Sequence, residues 1–178
     1  TWNGKLPLDE VKDVRRIARA ISLAENNQAY TSILKELSGL NDSPGTPLRG
    51  AGGPGTQGTT IPVLGITGTG GAGKSSVTDE IVRRFLHQFT DKTIAVISVD
   101  PSKKKTGGAL LGDRIRMNSI NHPRAYMRSL ATRDDNTALS SYVQEAIDIC
   151  KAAAYDFIIL ESAGVGQSDA SILDYCDV

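Results

Sequence analysis

The chain has 178 residues, room for one domain with an appendage. Its 20 acidic and 20 basic side chains balance to a net charge of zero, which argues against a broadly basic nucleic-acid-binding surface and gives no sign of recruitment to a membrane. No apolar run is long enough to span a bilayer, and Cys150 and Cys176 lack any metal-ligand spacing, as suits reduced thiols in a cytoplasmic protein.

Residues 1–40 read as a helical arm. Val11, Val14, Ile17, Ala18 and Ile21 recur along one helical face, and Ala29, Tyr30, Ile33, Leu34 and Leu37 along another. Glu25-Asn26-Asn27 predicts a break between two helices, and Gly39 suits a C-terminal cap. Such an amphipathic arm packs either on its own domain or on a neighbouring domain or subunit. Residues 41–60 differ sharply. Pro44, Pro47 and Pro54 alternate with Gly45, Gly50, Gly52, Gly53, Gly55 and Gly58 and leave almost nothing apolar to bury, which is the composition of a flexible linker. A coil of that length spans roughly 25 Å on average.

Residues 61–178 carry the chemistry. Ile61 to Thr67 is a short apolar run that suits a buried strand, and Val77, Ile81, Val82, Phe85 and Leu86 follow at helical spacing. Between them stands Gly68-Thr69-Gly70-Gly71-Ala72-Gly73-Lys74-Ser75, the G-x-x-x-x-G-K-S phosphate-binding loop in its required strand-to-helix context. Glycines let the backbone amides turn toward phosphate oxygens, and the helix N-terminus adds partial positive charge. The loop amides of Gly70, Gly71, Ala72 and Gly73, with Lys74, Ser75 and Ser76, are therefore the expected nucleotide contacts. Lys74 is placed to reach the β- and γ-phosphates, and the Ser75 hydroxyl to ligate Mg²⁺.

Thr93 to Val99 predicts a second strand, ending at Asp100, and Phe157 to Leu160 a third, ending at Glu161. Leu139, Tyr142, Val143, Ala146, Ile147 and Cys150 mark a helix between them. The order strand, helix, strand, loop, helix, strand predicts a mostly parallel α/β sheet. Pro101 to Arg133 reads as one long connection with little periodicity, of the kind that is functional or mobile. The chain closes on Val178 inside what reads as a further strand and is expected to be a piece of something longer.

Acids at the carboxyl ends of parallel strands lie at the ligand-binding edge. Asp100 and Glu161 are such acids, and Asp113 in the long connection is placed to swing in, so the three are candidates for an Mg²⁺ and catalytic shell. Singly, each is more often a solvated carboxylate or a cap; it is the placing of three acids around one P-loop that favours the functional reading. Glu161-Ser162-Ala163-Gly164 places a glycine whose N–H is suited to sense a γ-phosphate. Gln167 either orients the attacking water or is an ordinary polar loop residue. Lys103-Lys104-Lys105 is a basic loop, His87 a surface residue and His122-Pro123 a turn.

Val99-Asp100-Pro101-Ser102, Thr106-Gly107-Gly108, Leu111-Gly112-Asp113, Arg116-Met117, His122-Pro123 and Glu161 through Ser168 together resemble the MeaB-type GTPases, the G-protein chaperones of adenosylcobalamin-dependent acyl-CoA mutases. The arm and linker ahead of them are similar to the fused isobutyryl-CoA mutase group, where a cobalamin-binding domain precedes the GTPase and a mutase barrel follows. The resemblance implies a P-loop GTPase domain that binds GTP or GDP and Mg²⁺, acts on adenosylcobalamin in its partner or fused domains, and forms a homodimer. It implies catalytic roles for Lys74, Asp113, Glu161 and Gln167, metal roles for Ser75, Asp100, Asp113 and Glu161, and a γ-phosphate contact for Gly164. Lys103-Lys104-Lys105 departs from the small hydroxyl residues commoner there. The guanine-reading [NT]-K-x-D motif does not occur within these 178 residues, so GTP is implied by the resemblance alone. A P-loop kinase of small metabolites and a non-catalytic nucleotide-propped interface are the rival readings.

Overall fold

A computed structural model describes residues 13–26, 60–100, 117–131, 142–162, 164, 172 and 174–178. In chain order the elements are α1 (Val14–Glu25), β1 (Val63–Ile66), α2 (Lys74–Gln88), β2 (Ile94–Asp100), β3 (Ala125–Ala131), α3 (Val143–Ala152) and β4 (Phe157–Glu161). The strands form a four-stranded sheet in the order β1-β4-β2-β3. Every pairing is parallel, with Val63 beside Ile158, Ile94 beside Phe157, and Ile94 beside Ala125. The expected α/β architecture with a parallel sheet is what the chain adopts.

The apolar runs explain the sheet. Parallel strands are covered on both faces, so they read as continuous apolar segments, and Ile94-Ala95-Val96-Ile97 is entirely buried. Ile94, Val96 and Ile159 pack with Val82 and Leu86 of α2. Ala95, Ile97, Val99, Ile158 and Leu160 turn the other way, into a cluster with α1 and α3. Along the open edge of β1, the Gly65 amide donates to the Val178 carbonyl and the Asp177 amide to the Val63 carbonyl, each at 2.9 Å.

The segment expected to be one long connection contains β3. Its alternation is real but mixed: Tyr126 and Leu130 enter the α1–α3 cluster, and Met127 enters the α2 cluster. Between them Arg128 breaks the apolar pattern and is held by tertiary partners at one end of its guanidinium, while its Nε is buried without a hydrogen-bond partner among the described residues. Its Nη2 donates to Glu25 Oε2 at 2.6 Å and to Ser22 Oγ at 2.9 Å, both on α1.

Helix α1 thus belongs to this α/β unit. Ile17, Ala20, Ile21 and Ala24 are its buried face, while Val14, expected on that face, is 40% exposed. The face is turned because the two alanines, not Val14 and Ala18, lie against the cluster that contains Val143, Ala146 and Ile147 of α3. Burying Ile17 and Ile21 stabilises by about 1.5–3 kcal/mol each. Asp13 caps the start, its Oδ1 accepting from the Arg16 amide at 3.1 Å, and the helix ends at the predicted break, with Asn26 as C-cap. The second helix expected in the arm, and all of the expected linker but Thr60, lie outside the described residues. No described helix is long and apolar enough to cross a membrane.

Helix α2 has no glycine at its end. Phe89, its C-cap, is extended, and the last carbonyls are met by Arg124 from the turn before β3. The guanidinium donates to the carbonyls of Leu86, Lys92 and Phe89, the first two at 2.8 Å. Burial lowers the pKa of this arginine.

Cys150 and Cys176 are both free, and Cys150 is buried on α3. Burial pushes the Cys150 thiol up to about 12, and burial with Cys150 and Tyr126 nearby also raises neighbouring Tyr155. Both groups hold their protons more tightly in the folded chain than in the unfolded one. The stability the thiol lends is complete below about pH 9, its ordinary value, and is lost as pH rises toward 12. Unfolding free energies from urea titrations are expected to fall steadily above pH 9, by about 1.4 kcal/mol per pH unit from the thiol alone. A flat profile from pH 8 to 11 would mean that water reaches Cys150.

Candidate active site

The chain leaves β1 at Ile66 and turns through Gly68–Gly73 into α2, which starts at Lys74. Gly73 is the N-cap, with φ 87° and ψ 14°, a left-handed conformation that side chains with a Cβ adopt only under strain. Among the described residues no side chain caps this helix, so the amides of its first turn, at Lys74, Ser75 and Ser76, remain directed outward together with the positive end of the helix. Gly70, Gly71, Ala72 and Gly73 are exposed, and Lys74 and Ser75 half-buried.

Glu161 ends β4 directly beside β1, in register with Ile66. It is 4% exposed, and each of its oxygens has a hydroxyl partner from α2. Ser75 Oγ donates to Oε1 at 2.7 Å, and Thr78 Oγ1 to Oε2 at 3.0 Å. The loop serine and the strand-end acid, both expected near the mouth of the loop, are thus in direct contact. On the other side of Glu161, Ser98 of β2 is in register with it, and β2 runs on to Asp100 at the same edge.

Lys74 folds back over the loop, its Nζ donating to the Gly68 carbonyl at 2.7 Å and the Thr69 carbonyl at 3.1 Å. Gly164 closes on the same place, its carbonyl accepting from the Gly70 amide at 3.0 Å. Its φ is 75°, and a Cβ built there would collide with Lys74 Nζ and stand 3.0 Å from both Gly68 O and Gly70 N. Only glycine fits this approach. Here the Gly164 carbonyl engages the loop, a contact separate from the expected one between its N–H and a γ-phosphate.

Of the predicted metal-binding acids, only the side chain of Glu161 is described. Asp113 and Gln167 lie outside the described residues, as does the side chain of Asp100. Among the described residues no three His, Cys, Asp or Glu side chains gather around one point. The Ser75 hydroxyl and the Glu161 carboxylate are hard oxygen donors, the kind Mg²⁺ prefers.

Sequence reasoning missed Thr78. It counted Val77 on the packed face of α2, whereas Val77 is 53% exposed and Thr78 fully buried, in one row with Val82 and Leu86. The available signal was a hydroxyl standing where the helical repeat called for an apolar side chain.

A glycine loop between a buried parallel strand and a helix, with a neighbouring strand's acid on the loop serine, defines a P-loop nucleotide-binding α/β protein. Residues 17–178 match the family model for the methylmalonyl-CoA mutase-associated GTPase MeaB. The chain belongs to that family, as the loop motifs led us to expect. It is 66% identical over 118 residues to the fused isobutyryl-CoA mutase of Geobacillus kaustophilus, which covers 66% of this chain and 11% of that protein. The fused isobutyryl-CoA mutase of Cupriavidus metallidurans is 47% identical over 167 residues, 93% of this chain and 14% of that protein. The mitochondrial methylmalonic aciduria type A homolog of Caenorhabditis elegans is 39% identical over 116 residues, 65% of this chain and 29% of that protein. The chain thus spans a small part of the curated mutases it matches.

Proposed function

We propose that this chain is a GTP-hydrolysing module of a cytoplasmic, cobalamin-dependent isobutyryl-CoA mutase, and that it gates adenosylcobalamin loading and protection. The observation that carries the reading is the 47% identity to a fused isobutyryl-CoA mutase along 93% of this chain. The contact between Ser75 and Glu161 supports it, because it joins the loop serine to the acid that the metal shell requires.

In this reading the amides of Gly70, Gly71, Ala72 and Gly73, with Ser76, cradle the phosphates. Lys74 leaves the Gly68 and Thr69 carbonyls for the β- and γ-phosphate oxygens, a stronger charge-assisted exchange. Gly164 releases the Gly70 amide and presents its own N–H to the γ-phosphate. Ser75, Asp100, Asp113 and Glu161 are the residues that hold Mg²⁺, whose chemistry is to neutralise charge on the phosphates. Asp113, Glu161 and Gln167 position water for hydrolysis. The cobalamin-binding and mutase domains are the partners, and the assembly is a homodimer, which light scattering on the full-length protein tests.

If the residues that contact the γ-phosphate also touch those partners, nucleotide state and partner contact bias each other by the same factor. The test compares GTP and ATP affinity and turnover for the full-length protein with the cobalamin-binding and mutase domains present and removed. We expect GTP to be preferred and the partner domains to change its affinity roughly 5- to 150-fold, the usual range of such coupling. Equal values in both contexts would overturn the gating role. Transfer of the γ-phosphate to a metabolite would overturn hydrolysis.

A further inference from the structure

We infer that Thr78 is a positioning residue for the metal-bearing side of the nucleotide site, acting by holding Glu161. The inference rests on the P-loop reading above. Thr78 is fully buried, and a buried hydroxyl must find hydrogen-bond partners. Two acceptors lie within reach of Oγ1, the Lys74 carbonyl and Glu161 Oε2, both at 3.0 Å. A hydroxyl carries one proton, and an ionised carboxylate is the stronger acceptor, so the proton goes to Glu161.

Ser75 and Thr78 stand three residues apart on α2 and so share one helical face. From that face they grip the two oxygens of one carboxylate, Ser75 on Oε1 and Thr78 on Oε2. A glutamate has three side-chain torsions, and a second anchor removes the freedom that one hydrogen bond leaves. Mg²⁺ would take a lone pair of the Ser75 hydroxyl and leave its proton for Oε1, while Thr78 would hold Oε2 as the second anchor. The rest of this row, Val82 and Leu86, is apolar, so packing alone does not call for a hydroxyl here. Valine has the same shape as threonine and would fill the position. What it would lose is the grip on Oε2.

The experiment titrates MgCl₂ into the full-length protein holding a fluorescent methylanthraniloyl-GDP, for the parent, Thr78→Val, Thr78→Ala and Thr78→Ser. The readouts are the Mg²⁺ midpoint for nucleotide retention and the nucleotide affinity in EDTA. Groups that orient metal-site residues typically change metal affinity by about 10–100-fold when lost. We therefore expect Thr78→Val and Thr78→Ala to raise the Mg²⁺ midpoint at least about tenfold, Thr78→Ser to stay within about twofold of the parent, and EDTA affinity to match throughout. Thr78→Ala carries the same comparison should Thr78→Val not fold. A Mg²⁺ midpoint unchanged in the variants lacking the hydroxyl, whatever their melting temperature, would leave Thr78 a packing residue only and overturn the inference. So would a serine variant as impaired as the valine one. A parent protein that shows no Mg²⁺-dependent retention would instead overturn the P-loop reading, a result visible before any substitution is made.

Discussion

Replacing Lys74 with alanine is expected to weaken GTP binding at least about a hundredfold, roughly 2.7 kcal/mol, while hardly moving the melting temperature of the nucleotide-free protein. The asymmetry follows from what Lys74 touches. Its ammonium rests on the carbonyls of Gly68 and Thr69, at the half-exposed to exposed rim of the loop, where water replaces it at little cost. A bound triphosphate has no such substitute for a fixed positive charge facing its β- and γ-oxygens. Calorimetric titration of the full-length protein and the Lys74→Ala variant measures the difference. Unchanged affinity would remove the phosphates from this loop.

The largest expected effect on stability comes from Arg124. Arg124→Met keeps most of the aliphatic stem but leaves the carbonyls of Leu86, Phe89 and Lys92 without their donor. Stranding buried acceptors costs about 1–3 kcal/mol for each group left unpaired, and water reaches part of this site, so about 3 kcal/mol is expected in all. Arg124→Lys should recover only a part, because a single ammonium cannot span three carbonyls that a planar fork reaches together. Urea unfolding of the three proteins decides it. A loss below about 1 kcal/mol for the methionine variant would show that solvent caps α2 as well as Arg124 does.

How far the chain could be read before folding depended on how local each cause was. β1, β2 and β4 were legible because strands buried on both faces must be apolar throughout, and the loop because its spacing is its mechanism. β3 was not, since Arg128 and Ser129 interrupt it. The partner that makes Arg128 tolerable, Glu25, is 103 residues away. The same distance hid Arg124 as the cap of α2, and no glycine marked the helix end. The face of α1 was misjudged by about one residue, because side-chain size against α3, rather than hydrophobicity alone, decides which side approaches closely. At the site, Ser75 and Glu161 were legible as types in the right places. Thr78 was passed over for its apolar neighbour Val77, and the carbonyl contact of Gly164 depends on a backbone conformation that sequence does not display.

The strand order has a consequence for how the domain is born. β4 lies between β1 and β2, yet it is the last of the four strands to leave the ribosome. A nascent chain that has emerged only as far as Ala152 carries the whole glycine loop and α2, but β1 has no neighbour from β4, and Ser75 and Thr78 have no carboxylate to hold. High contact order of this kind slows folding and prolongs the time during which bare strand edges can meet other chains. Affinity for phosphate at the loop should therefore rise abruptly once Phe157–Glu161 inserts between strands made earlier.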